Sequence, residues 1–136
     1  MAIEVTEGGQ ATLDLMGTLG DQSLPLDRKF VPGFVDHDPA PGQPEDGSGL
    51  AWYWGRFAES FSDIEREVVE TIATPEHLIT VMNLTATHTG DFLGHAATGK
   101  RFTVRNVQVA KFVDGRMSER WGSTDQLGIL QQLGLV

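Results

Sequence analysis

Three titratable side chains occupy positions from which they could transfer protons. Asp125 follows the last predicted strand, where a partly buried carboxylate would suit general acid–base work, although it could equally cap the helix that begins there. His88 lies on a predicted strand and could act as an acid or base near neutral pH, or as a structural hydrogen-bonding group. His37 lies between Asp36 and Asp38 in a predicted loop, where it could be functional or merely solvated. Asp125, His88 and His37 are therefore the candidate catalytic residues.

Two side-chain amides share one face of the third predicted strand. Because side chains alternate between the faces of a strand, one face carries Val104, Asn106, Gln108 and Ala110. If this face lines a cavity, Asn106 and Gln108 could donate hydrogen bonds to a carbonyl or enolate oxygen. If it lies at an exposed sheet edge, they are ordinary surface groups. We name both as candidate substrate-binding residues.

Aromatic side chains supply the candidate walls of a pocket. Trp54 lies on the apolar stripe of a predicted helix and is expected in the core, whereas Trp52 lies off that stripe and is expected at a rim or interface. Tyr53 shares the stripe and is a further candidate contact for a ligand. Trp121 could form a cavity wall or pack against the sheet. Trp52, Tyr53 and Trp121 join the candidate substrate-binding residues.

Composition excludes several classes of function. The 136 residues suffice for one domain with a buried core, and the absence of cysteine excludes disulfides, thiolate metal sites and thiol nucleophiles. A net charge of -9 opposes binding to nucleic acid or to anionic lipid. No stretch approaches the roughly 18 apolar residues of a membrane span. We expect a cytoplasmic protein that contacts neither nucleic acid nor membrane.

A glycine-rich segment imitates a phosphate-binding loop. Gly94–Lys100 has the required glycine and lysine spacing, but Arg101 stands where Ser or Thr should bind magnesium, and a strand is predicted where a helix should follow. His88 and His95 have no recognised metal-ligand spacing. We therefore expect neither a metal nor a cofactor.

The elements that must position these residues divide into helices followed by strands. The sequence predicts a short helix at Ala11–Met16, a brief helix within Leu26–Val35, a mobile loop at Asp36–Gly49 and an amphipathic helix at Leu50–Ser60. The β-branched runs with period two predict four strands, at Ile64–Ala73, Leu78–Thr89, Phe102–Val113 and Arg116–Thr124. The Asp114-Gly115 pair predicts a type I′ hairpin, and a short helix ends at Gly134. This order is typical of an α+β domain.

Several motifs in this order resemble the SnoaL-like polyketide and ester cyclases, within the nuclear transport factor 2-like superfamily. The resemblance covers residues 34–134, whereas residues 1–33 are atypical. The motifs are VDHDP at Val35–Pro39, THTGDFLG at Thr87–Gly94, TGKRF at Thr98–Phe102, VDGRMSERW at Val113–Trp121 and DQLGILQQLG at Asp125–Gly134.

The resemblance implies a cone-shaped, curved antiparallel sheet wrapped over N-terminal helices, with a short C-terminal helix and frequent homodimerisation. It also implies a cofactor-independent enzyme that cyclises, isomerises or hydrates a hydrophobic, polyketide-like ketone or ester by acid–base chemistry. The cyclases of this family carry acid–base residues at positions that correspond here to Gln108 and Gly122. This departure keeps open an alternative, a non-catalytic member of the fold that binds a small molecule or another protein.

Overall fold

The computed structural model describes residues 2–136, which have a mixed α+β fold. Its elements in chain order are β1 (Ala2–Val5), α1 (Gln10–Gly20), α2 (Leu26–Lys29), β2 (Phe30–Asp36), α3 (Ser48–Ser60), β3 (Phe61–Ala73), β4 (His77–His88), β5 (Arg101–Val113), β6 (Arg116–Thr124) and α4 (Gln126–Gln132).

The strands form one curved, open sheet in the order β1-β3-β4-β5-β6-β2. The four long strands β3 to β6 are antiparallel neighbours, as the sequence predicts. The two short edge strands pair in parallel, β1 with β3 and β2 with β6. The predicted α+β fold is therefore confirmed, with two parallel edge strands in addition to the predicted ones.

The turn and cap signals of the C-terminal half are confirmed. Asp114 and Gly115 have φ values of 52° and 77°, and positive φ at both central residues defines a type I′ turn. Gly134 follows the last helix with a φ of 75°, in the left-handed region that a helix-ending glycine favours. Helix α3 begins at Ser48, two residues before the predicted start.

The N-terminal predictions are partly wrong. The helix predicted within Leu26–Val35 ends at Lys29, and the chain continues as strand β2. These residues form a strand and not a helix because their backbone pairs with β6, which lies more than eighty positions later in the chain. Helix α1 also extends to Gly20, beyond the predicted Ala11–Met16, and β1 was not predicted.

The core lies on the sheet face that α1 and α3 cover, which we call the inner face. Even-numbered side chains of β4 and β5 point to it, and they are buried at Leu84, Ala86, Phe102 and Val104. A second cluster, around Phe30, Phe34 and Phe112, packs near the other end of the sheet, with Leu15 and Leu19 of α1 against it. The space between the two clusters holds the polar residues described next.

Candidate functional site

A cavity of about 350 Å³ lies between the inner face and helices α1 and α3. We call it the inner cavity. This volume is within the range that small-molecule sites occupy. Its walls are mostly apolar, and its polar lining consists of Arg66, Thr80, Gln108 and Arg120.

A buried ion pair closes one side of this cavity. Asp36 on β2 lies directly opposite Arg120 on β6, and the Nη1 of Arg120 donates to both carboxylate oxygens of Asp36, at 3.0 and 3.1 Å. Only 5% of the Asp36 side chain and 12% of the Arg120 side chain are exposed. Gln43 also donates to Asp36, at 2.8 Å, which satisfies the carboxylate further. Each charge is thus paired and hydrogen-bonded, as burial requires.

From Arg120 a chain of hydrogen bonds crosses the inner face in one direction. The Nε of Arg120 donates to the Oε1 of Gln108 at 2.8 Å. The Nε2 of Gln108 donates to the Oδ1 of Asn106 at 3.0 Å, and Asn106 donates to the hydroxyl of Thr124 at 2.6 Å. Asn106 is fully buried. Because every donor points away from the cation, the amides of this chain are polarised in one sense.

The predicted amide face is therefore the inner face, with Gln108 at the cavity wall and Asn106 behind it. Gln108 and Gly122 are direct cross-strand partners. A Cβ on Gly122 would overlap the Nη2 of Arg120 and crowd the Oε1 of Gln108. Glycine at this position is therefore what allows Arg120 to fold over the strand and reach Gln108. At the two positions where the resemblance places acid–base residues the chain thus has the Gln108 amide and, in the space beside Gly122, the guanidinium of Arg120.

A smaller cleft of about 270 Å³ lies on the other side of Arg120, under the loop that follows β2. We call it the loop cleft. Asp38, Tyr53, Arg120 and Thr124 line it. The Oδ2 of Asp38 accepts a hydrogen bond from the backbone N–H of Gly122 at 2.9 Å. The loop thus brings a carboxylate to the backbone of Gly122, one of the two positions at which the resemblance implies an acid–base residue.

Arg66 on β3 is the second cation of the inner cavity. Its guanidinium lies over the indole ring of Trp54, 4.3 Å from the ring centre. Partial burial lowers the pKa of Arg66 below its usual range. The residues from 2 to 136 supply no carboxylate that forms an ion pair with this side chain.

Asp125, the first candidate for proton transfer, caps α4. Its Oδ1 accepts from the backbone N–H of Gly128 at 2.8 Å, and the residue is exposed. This is the capping alternative that the sequence left open.

His88 is fully buried among aromatic side chains. Its Nδ1 accepts from the backbone N–H of Thr98 at 3.1 Å and lies 3.0 Å from the hydroxyl of the same residue. In the neutral ring the proton therefore lies on Nε2, which has no hydrogen-bonding partner among the described residues. The ring centres of Phe61 and Phe92 lie 5.7 and 6.4 Å away. These contacts match the structural alternative for His88.

His37 and Trp121 lie on the outer face of the sheet, away from the inner cavity. The His37 ring stacks on Trp121 with centres 4.6 Å apart and an interplanar angle of 6°. The Nε2 of His37 lies 3.0 Å from a carboxylate oxygen of Glu119. The structure does not bring His37 together with His88, Asp125 or the amides.

Trp52 and Tyr53 line a third space, an aromatic groove of about 590 Å³ beside α3. Phe57, Phe61 and Phe92 form much of its floor. Tyr53 borders both this groove and the loop cleft. Among the predicted aromatic contacts within the described residues, it alone lines a cleft together with Arg120. Trp54, expected in the core, is half-buried and lines the inner cavity.

Sequence reasoning missed the ion pair and the cation on β3. Asp36 and Arg120 are 84 positions apart, and only the parallel pairing of β2 with β6 joins them. The available signal was that both lie within family-like motifs and carry opposite charges. Nothing in the pattern around Arg66 distinguishes it from a solvated charge of an alternating strand.

Two structural features are absent from the described residues. None of the helices between residues 2 and 136 has the length and apolarity needed to cross a membrane. The same residues contain no group of three or more His, Asp or Glu side chains placed to hold a metal ion.

Comparisons with known proteins agree with this fold. The family model of the SnoaL-like polyketide cyclases matches residues 21–133. The chain is 28% identical over 104 residues to aklanonic acid methyl ester cyclase DnrD of Streptomyces peucetius, covering 76% of this chain and 70% of that protein. It is 30% identical over 106 residues to aklanonic acid methyl ester cyclase DauD of Streptomyces sp. (strain C5), covering 76% of this chain and 63% of that protein.

A solved structure gives the same result. Wild-type IdmH of Streptomyces antibioticus aligns with a TM-score of 0.72 and 27% sequence identity, over 92% of this chain and 99% of that chain. The family model spans most of the chain, from before β2 to the end of α4. The chain therefore belongs to the SnoaL-like polyketide cyclase family.

Proposed function

We propose that this protein is an enzyme that acts, without a cofactor, on a hydrophobic, oxygenated small molecule such as a polyketide-like ketone or ester. The observation that carries the proposal is the hydrogen-bond chain that begins at Arg120 and runs through Gln108 into the inner face. Donors that are fixed before the substrate arrives stabilise charge that develops on a substrate oxygen, because they need not reorganise during the reaction.

In this proposal the body of the substrate occupies the inner cavity, and its reacting carbonyl lies against Arg120 at the border with the loop cleft, because Leu50 and Arg120 line both spaces. Two of the three guanidinium nitrogens are engaged, Nε with Gln108 and Nη1 with Asp36, which leaves Nη2 free to donate. Gln108 has a second amide hydrogen for the same oxygen. Asn106 and Thr124 hold Gln108 in place.

In this proposal Asp38 transfers the proton, instead of Asp125 or His88. Asp38 is the carboxylate that shares the loop cleft with Arg120, and its position is fixed by the N–H of Gly122. It would take a proton from the carbon beside the carbonyl, and the electron pair would move onto the carbonyl oxygen held by Arg120. Return of that proton to another carbon would give isomerisation. Attack of the carbanion on a second carbonyl, whose oxygen takes the proton, would give cyclisation.

The experiment follows deuterium exchange into a model ketone, methyl 6-acetyl-2-naphthoate, by NMR in D2O. Wild-type protein should accelerate exchange of the acetyl hydrogens over buffer, and Asp38→Asn should lower that acceleration by about 100-fold or more. Asp125→Asn is the matched control and should keep it. Equal exchange in wild type and Asp38→Asn would overturn the role of Asp38.

A non-catalytic binding protein is the second candidate. It is favoured by Gln108 and Gly122 at the family's acid–base positions, and by the engagement of Asp36 in an ion pair. Binding of the same ketone without any acceleration of exchange would support this candidate over the enzyme.

We also propose a homodimer through the outer face of the sheet. Half-exposed apolar side chains adjoin one another across three strands there, because Val81 pairs with Val107, and Val109 pairs with Ile79 and Trp121. Sedimentation should detect a dimer that Val107→Glu dissociates. A monomeric wild type at tens of micromolar would contradict it.

A further inference from the structure

The two guanidinium groups of the inner cavity differ in what neutralises them. Arg120 is paired with the buried carboxylate of Asp36. Arg66 stacks on Trp54 and forms no ion pair within the described part of the chain.

The contacts of Arg66 hold its charge at the cavity. The Trp54 ring, which also lines the cavity, fixes the guanidinium from one side. A guanidinium stacked on an aromatic ring keeps its N–H groups free at its edge, where they can pair with a carboxylate in a bidentate manner. Arg66 as a whole is exposed, so a ligand can reach its guanidinium, and burial of part of the residue lowers its pKa.

Strand register places the two cations toward opposite ends of the sheet. Arg66 pairs with Leu84 of β4, whereas Arg120 pairs with Ala110, the partner of Leu78. Leu84 and Leu78 are six residues apart on one strand, a rise of about 20 Å. Both side chains extend from these rows to the same cavity, so one ligand can contact both guanidinium groups.

We propose that Arg66 binds the carboxylate of the ligand, and that the protein accepts a free carboxylic acid in preference to its methyl ester. This rests on the proposed function, since the opposite end of the same ligand carries the carbonyl oxygen that Arg120 receives. The two curated relatives are named as methyl ester cyclases. A methyl ester carries no charge to pair with a guanidinium, so Arg66 distinguishes the ligand of this chain from those esters.

The test compares 6-acetyl-2-naphthoic acid, ionised at neutral pH, with its methyl ester in fluorescence titrations at low salt. Wild type should bind the acid about tenfold more tightly, the size expected for one charge-assisted contact. Arg66→Met should remove this preference while leaving the affinity for the ester unchanged. Arg66→Lys should keep part of it, because the charge remains.

Arg56→Met is the matched control. Arg56 also lies over a tryptophan, 5.5 Å from the ring centre of Trp52, but it borders the aromatic groove. This variant should keep the preference for the acid.

The outcomes separate the two proposals. Equal binding of acid and ester by wild type, or a preference that survives Arg66→Met, overturns the role of Arg66 and leaves the proposed function standing. Failure of both probes to bind wild type at millimolar concentration overturns the proposed function and the role of Arg66 together.

Discussion

Asp36 and Arg120 face each other across the parallel strands β2 and β6, joined by two hydrogen bonds of 3.0 and 3.1 Å and almost fully withdrawn from water. The pair joins the loop after β2 to the inner face of the sheet. Through Arg120 it also begins the chain of amides at the cavity wall. Stability and ligand recognition therefore depend on the same contact, and variants at this position should change both.

Arg120→Met should lower the free energy of unfolding by about 3 to 5 kcal/mol, because it leaves the buried carboxylate of Asp36 without its cation. Adding Asp36→Asn should recover about 1 to 3 kcal/mol, since the uncompensated charge is then removed. Urea unfolding of the two variants and wild type measures both changes. A loss below about 1 kcal/mol for Arg120→Met would show that the pair is not buried in solution.

Gly122→Ala should disrupt ligand recognition without adding a polar group. The new methyl would overlap the guanidinium of Arg120, which would have to leave Gln108 to make room. We expect a loss of about 1 to 3 kcal/mol in unfolding free energy and weaker binding of the acetyl naphthoate probes.

Gly55→Ala is the matched control for that variant. Gly55 lies within α3, and a Cβ there would meet nothing within 4 Å. Because alanine favours helix over glycine, this change should add about 0.5 to 1 kcal/mol of stability. Binding unaffected by Gly122→Ala would contradict the role given to the arginine–amide pair.

Asp125→Ala should lower stability by about 1 kcal/mol, the usual effect of removing a helix cap, while deuterium exchange into the model ketone stays at the wild-type rate. Asp125→Asn should be nearly neutral in both respects, because asparagine caps a helix about as well. If Asp125→Asn instead abolished exchange, the carboxylate would be acting on the substrate.

His88→Leu should destabilise the protein by about 1 to 3 kcal/mol, because the N–H of Thr98 loses its acceptor. The affinity for both naphthoate probes should remain unchanged, since His88 lies among Phe61 and Phe92 and outside the cavity lining. Thermal unfolding combined with the same titrations checks this. A selective loss of binding in a stably folded variant would point to a functional role.

The sequence predicted those parts of the structure that local patterns determine. The alternation of Val104, Asn106, Gln108 and Ala110 established which side chains share a face, and Asp114-Gly115 established the hairpin that aligns β5 with β6. The sequence predicts the first residues of β2 as the end of a brief helix, because the partner strand lies more than eighty residues away and β2 itself contains no clean alternation.

Some residues of the candidate site can be predicted from local patterns, and others depend on contacts between distant parts of the chain. The period of their own strand predicts that Gln108 and Asn106 share a face, but it leaves open whether that face lines a cavity or lies at an exposed edge. In the sequence Asp36 and Asp38 are distinguished only as neighbours of His37. Their contacts with Arg120 and Gly122 of β6 depend on how β2 and the loop after it fold. The sequence does not single out Arg66, because its stacking on Trp54 at the cavity depends on the packing of α3 against β3.

The most direct test of the central claim is a crystal structure of the protein with 6-acetyl-2-naphthoic acid. The aromatic rings of the probe should lie in the inner cavity. Its ketone oxygen should lie within hydrogen-bonding distance of the Nη2 of Arg120 or the Nε2 of Gln108. A probe bound only in the aromatic groove beside Trp52, with the inner cavity unoccupied, would contradict it.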